Sequence, residues 1–168
     1  MTRSASELSH CVTARFDVAA DTALAFLRDP IALGAWSLGC MNTRPDEESR
    51  GVYRGKSLFD GSETRFCIDA DPERRIVDYL LGTPGEMVPR ISIRVVPADV
   101  CDLEATQCYV TMTAWRPRTM DEPRWQQLCA CHEAEIHLIR AQCEAAAMGD
   151  PVQPFSADGD KARGLFGR

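Results

Sequence analysis

From Glu122 to Met148 the sequence reads as one unbroken helix, and a helix of that length needs a large apolar surface to lie on. At about 1.5 Å per residue it spans roughly 40 Å, longer than an ordinary globular helix. Asp121 is placed to cap its first turn, Pro123 sits where no N–H is missed, and Gly149 followed by Pro151 closes it. Advancing about 100° per residue, Trp125, Leu128, Cys129, His132, Ile136, Ile139, Cys143 and Ala146 fall on one face. Gln126, Gln127, Glu133, His137, Arg140 and Glu144 fall on or toward the other. His132, near the centre of the apolar stripe, is either a core residue with a satisfied hydrogen bond or a polar group facing a cavity.

The surface that such a helix needs is supplied by strands. His10 to Val18 alternates Val12, Ala14, Phe16 and Val18 against Thr13, Arg15 and Asp17, and His10 shares the apolar parity. Ala20 to Leu27 then reads as a short helix with Asp21 as its cap, and Pro30 to Trp36 as a second, separated from the first by Asp29-Pro30. Trp36 packs under these helices or stands at a pocket mouth. Beyond it comes a meander: strands over Cys40–Arg44, Val52–Phe59, Glu63–Asp69 and Arg75–Leu81, a Gly/Pro-rich loop over Gly82–Glu86, a strand through Ile91, Ile93 and Val95 up to Pro97, and the longest strand over Glu104–Trp115. In Arg75–Leu81 the parity is ambiguous, with Ile76 and Leu80 on one side and Val77, Tyr79 and Leu81 on the other.

Composition narrows the class. The chain has 168 residues, 45% of them hydrophobic and 26% charged, which suits one soluble domain with a substantial core. The net charge of -6 and the scattered basic residues argue against nucleic acid as a partner. MTRSASELSH lacks an apolar signal region and no run is long enough for a membrane span, so a cytoplasmic location is expected. Eight cysteines without a C-x-x-C pair fit neither a zinc ribbon nor a secreted disulfide framework. Cys129 and Cys131 diverge by about 200° around the helix and cannot face one metal. No metal site and no cofactor are expected.

One strand, two short helices, about six antiparallel strands and a long C-terminal helix make an α+β chain in which a curved sheet wraps the helix. Over roughly residues 8–148 this order resembles the helix-grip fold of the START-like (SRPBCC) superfamily, which includes polyketide cyclase/dehydrase-like proteins, lipid-transfer domains and heat-shock co-chaperone activators. The segment VTARFDVAADTALAFLRDPIALGAW is similar to the usual opening of bacterial members. The resemblance implies a cavity between sheet and helix that holds a hydrophobic or aromatic small molecule. Candidate wall residues are Trp36, Phe66, Tyr79, Ile93, Met112, Leu128, His132, Ile136 and Ile139, each with ordinary core as the alternative.

Sharper chemical motifs fail on spacing. His132-Glu133-Ala134-Glu135-Ile136-His137 looks like the zinc-protease H-E-x-x-H, but Ile136 occupies the second ligand position. His132 and Glu135 could pair as a base and its orienter, although at the edge of the stripe a solvated glutamate is expected. Three functional classes therefore stand: binding of a hydrophobic small molecule, a cyclase, aromatase or hydrolase-like enzyme with His132 as general acid/base, and a co-chaperone-like interaction module. Residues 149–168 read as a flexible tail. Its one apolar spot, Leu165-Phe166, could dock on the domain or on a second subunit in a homodimer.

Overall fold

The computed structural model describes residues 8–153. Strand β1 (Ser9–Phe16) is followed by the helices α1 (Ala20–Leu27) and α2 (Pro30–Leu33), as the sequence predicts. Asp21, however, does not cap α1. The cap is Ala19, without a side-chain bond, and Asp21 lies inside the first turn, where a carboxylate suits the helix dipole. It faces the Arg75 guanidinium at 3.3 Å. Asp29 does cap α2, its Oδ1 accepting the Ile31 N–H at 2.8 Å. That helix ends earlier than expected because Gly34, Ala35 and Trp36 donate their N–H groups to carbonyls three residues back, a tighter turn than the α-helix.

The remaining strands are β2 (Met41–Pro45), β3 (Tyr53–Lys56), β4 (Glu63–Asp71), β5 (Ile76–Thr83), β6 (Glu86–Pro97) and β7 (Cys108–Trp115). They form one curved antiparallel sheet in the order β1-β7-β6-β5-β4-β3-β2. Two expectations fail here. Gly82–Glu86 is not a loop: β5 and β6 continue through it and turn at Pro84-Gly85, with Gly85 at φ 91°. Pro89 hides this continuation from the sequence, since proline is rarely tolerated inside a sheet. It is tolerated because β6 pairs with β7 only as far as Ile91↔Ala114. The longest strand is therefore β6, and β7 begins at Cys108 because residues 104–107 form a turn closed by Gln107 N–H to Glu104 C=O at 2.8 Å.

The final helix, α3 (Glu122–Ala147), is capped by Asp121, whose Oδ1 accepts the Arg124 N–H at 2.9 Å. Its buried residues Ile136, Ile139 and Cys143 share one core with Val77, Tyr79, Ile93, Val95, Val110 and Met112 of the sheet, so β5 is resolved in favour of the Val77/Tyr79 face. None of the helices described is long and apolar enough to cross a membrane. After Gly149 the chain turns back: Val152 packs on the core and Gln153 N–H meets Gln142 Oε1 at 3.3 Å. Leu165 and Phe166 lie outside the described residues.

A close approach holds α2 against β2. A Cβ at Gly34 would stand 2.5 Å from the Thr43 backbone nitrogen, and the Thr43 hydroxyl donates to the Pro30 carbonyl at 2.6 Å. Gly34 has right-handed helical dihedrals, so helix propensity alone would make alanine stabilising there. The contact predicts the opposite sign: Gly34→Ala should cost about 1–3 kcal/mol in urea denaturation, the range of an overpacked core.

Candidate functional site

Cross-strand register sorts the inward-facing side chains into rows. Ile68, Tyr79, Ile91, Ala114 and His10 form one row across β4, β5, β6, β7 and β1. Val77, Ile93, Met112 and Val12 form the next. Between the first row and α3 the packing is incomplete, leaving a cavity of about 120 Å³. Trp36, Phe66, Tyr79, Leu81, Ile91 and Leu128 give it apolar walls, and Cys40, Cys131, His132 and Glu135 add polar atoms. Phe59 and Arg124, both exposed, also line it and mark its mouth.

Of the residues expected at such a site, Trp36, Phe66, Tyr79, Leu128 and His132 line the cavity. Ile93, Met112, Ile136 and Ile139 do not; they are packed core. The reason is geometric. Ile93 and Met112 lie one row further along the sheet, and the cavity sits against one shoulder of α3. Relative to His132, Leu128 and Glu135 stand about 40° and 60° round to that shoulder, whereas Ile136 stands about 40° round to the other. Leu81 and Ile91 were not singled out from the sequence, though Leu81 shares the parity of Tyr79.

Glu135 is the main correction. Expected to be solvated, it is only 3% exposed, and its Oε1 accepts the Leu38 N–H at 2.7 Å. The segment between α2 and β2 folds over α3 and seals the carboxylate from water. Burial pushes its pKa up to about 7, and backbone N–H groups of Leu38 and Gly39 partly oppose the shift. Across the cavity, burial lifts the Cys40 thiol to about 12, with the Glu135 charge adding to the effect.

His132 is also buried. Its ring stacks on His10 with centroids 6.0 Å apart and planes inclined by 29°, which is why His10 carries apolar parity on β1. His132 Nδ1 and His10 Nε2 make no hydrogen bond, and Glu133 Oε1 stands 4.0 Å from the latter. Burial, assisted by the His10 charge, lowers the His132 pKa to about 4, so the ring is neutral near pH 7. Trp36 meets Tyr79 edge-on at 5.8 Å, and the Tyr79 hydroxyl donates to the Leu27 carbonyl at 2.7 Å. That bond fixes the tyrosine ring in the wall and uses its proton, and burial raises the phenol further above its usual range. The indole Nε1 of Trp36 is buried without a hydrogen-bond partner. No cluster of three or more metal-ligating side chains occurs among the described residues.

Comparison with solved structures shows the START-like helix-grip fold. The ZhuI aromatase/cyclase from Streptomyces sp. R1128 superposes with a TM-score of 0.59 at 16% identity, over 85% of this chain and 98% of that one. A START superfamily protein from Mycobacterium smegmatis gives 0.55 at 10% identity, over 84% and 98%. The di-domain ARO/CYC BexL of the BE-7585A biosynthetic pathway gives 0.59 at 13% identity, over 83% of this chain and 47% of that one. No protein-family model and no curated protein sequence matches the chain.

The two buried titrating groups of α3 make opposite contributions to stability. Glu135 has a folded pKa above its usual value of 4.5, so its contribution falls as pH rises from about 4.5 to 7. His132 has a folded pKa below its usual value of 6.5, so its contribution falls as pH drops from about 6.5 to 4. Over pH 4.5 to 6.5 the two slopes offset each other. Glu135→Gln keeps an acceptor for Leu38 and should expose the histidine slope. Relative to wild type, its urea-derived stability should rise between about pH 4.5 and 6.5 by on the order of 3 kcal/mol.

Proposed function

We propose that the protein binds a small apolar or aromatic molecule in the cavity between its sheet and α3. The observation that carries this reading is an aromatic-lined space at the junction of sheet and helix. The volume of about 120 Å³ sets the size class, since cavities of roughly 150 Å³ accept benzene. A single ring or a compact aliphatic group fits; a multi-ring polyketide or a lipid would require the segment over residues 37–40 and the Phe59 turn to open. Support comes from the fold shared with the START-like and aromatase/cyclase structures, without carrying over what any of them acts on.

Acid–base chemistry on the bound molecule is a second reading, favoured by one observation: the pKa of Glu135, at about 7, matches what a proton-transfer group needs near neutral pH. His132, at about 4, stays neutral there and is a poor proton donor. In this reading Glu135 moves the proton and His132 shapes the wall. For any cavity substrate that is turned over, Glu135→Gln should lower kcat by about 10²-fold or more, whereas loss confined to His132→Ala would contradict that assignment.

Thermal-shift measurements with toluene and phenol test the binding reading. At about 100 times its Kd a ligand adds about 2.7 kcal/mol, which raises Tm by roughly 5–10 °C in a domain of this size. Leu128→Phe, which fills the cavity from α3, should keep the fold and abolish the shift. Equal shifts in wild type and Leu128→Phe would place binding elsewhere.

A further inference from the structure

The buried charge in the cavity lining is of one sign. Among the described residues, Glu135 is the only carboxylate lining it, and its hydrogen-bond donors come from backbone, not from a cationic side chain. The other buried titratable groups facing it are neutral near pH 7 to 8: His132 because its pKa is low, Tyr79 because burial raises its phenol, and Cys40 and Cys131 because burial and the Glu135 charge hold their thiols protonated. Arg124 is the one basic residue in the lining, and it stands exposed at the mouth, bonded to Gln127 and near Asp60. A desolvated carboxylate without a cation is a costly arrangement, and a positively charged occupant would relieve that cost.

The walls suit the same occupant. Trp36, Phe59, Phe66 and Tyr79 surround the cavity, and aromatic rings attract cations through their quadrupoles, more strongly where water is excluded. Rings alone would serve any apolar ligand, and a buried carboxylate alone could be a structural clasp for Leu38. Their combination in a space of about one ring is what discriminates.

We propose that the occupant is a small organic amine bound as its cation, with the ammonium group against Glu135 and the hydrocarbon frame among Trp36, Phe66, Tyr79 and Leu128. This rests on the cavity being a binding site and names the chemical class it takes. Binding of the cation favours the ionised form of Glu135, so at neutral pH association releases protons from the carboxyl group. Leu38 keeps its hydrogen bond throughout.

The test is isothermal titration calorimetry at about pH 8, comparing benzylamine with its near-isosteres benzyl alcohol and toluene and with benzoate. At that pH the amine is charged and Glu135 is ionised. Benzylamine should bind at least about tenfold more tightly than benzyl alcohol, as a charge-assisted hydrogen bond in a dry site requires. In Glu135→Gln that preference should disappear while toluene binding persists. Equal or tighter binding of benzyl alcohol or toluene by the wild-type protein would overturn the amine assignment and leave the cavity reading standing. Preference for benzoate would overturn it in favour of Arg124 as the recognising group, and no binding of any of the four would overturn both readings.

Discussion

The seating of α3 on the inward face of the sheet is the constraint on which the rest of the structure depends. A seven-stranded antiparallel sheet with one apolar face must have that face covered, and α3 is the only element among the described residues long enough to do it. Its stripe seats on β1 and β7 and shares one core with Val77, Ile93 and Met112, where Ile136 and Ile139 are buried. One row further along the sheet the fit is incomplete. There the shoulder of the helix carries Leu128, Cys131 and Glu135, and the segment after α2 closes over a small space.

How that space is closed decides its chemistry. Leu38 N–H reaches across to Glu135, so the loop that shuts the cavity is held by the same carboxylate that lines it. A carboxyl group there is desolvated and shifted toward neutrality, and the neighbouring histidine is shifted in the opposite direction by the same loss of water. The bond that holds the loop and the carboxyl group that lines the cavity thus belong to one side chain. The solved structures that share the fold do so at 10–16% identity, so these residues speak for this chain alone.

Much of this was legible in the sequence. Period-2 alternation found β1, β4 and the inner half of β6, the Asp29-Pro30 break marked the start of α2, and the cap Asp121 marked that of α3. The fold followed from element order because a long amphipathic helix after a meander has few ways to bury its stripe. The misses have particular causes. Pro89 disguised the outer half of β6, since its tolerance depends on where β7 stops pairing, a non-local fact. Ala19, with no capping side chain, replaced Asp21 at the start of α1. Glu135 stands only about 60° from the stripe centre, and periodicity cannot say whether a margin is wet. That depended on a loop about 97 residues earlier folding across it, which no local pattern records. Ile93 and Met112 face inward but one row from the cavity, which the sequence does not show because register belongs to pairs of strands.

The most direct test of this account is the titration of the Glu135 side chain itself, followed by carboxyl ¹³C NMR on selectively labelled protein. A midpoint near pH 7 would establish a dry carboxyl group enclosed between α3 and the loop at Leu38. A midpoint at the ordinary glutamate value of about 4.5 would mean that water reaches it freely, and the dry inner wall on which the functional reading rests would not exist in solution.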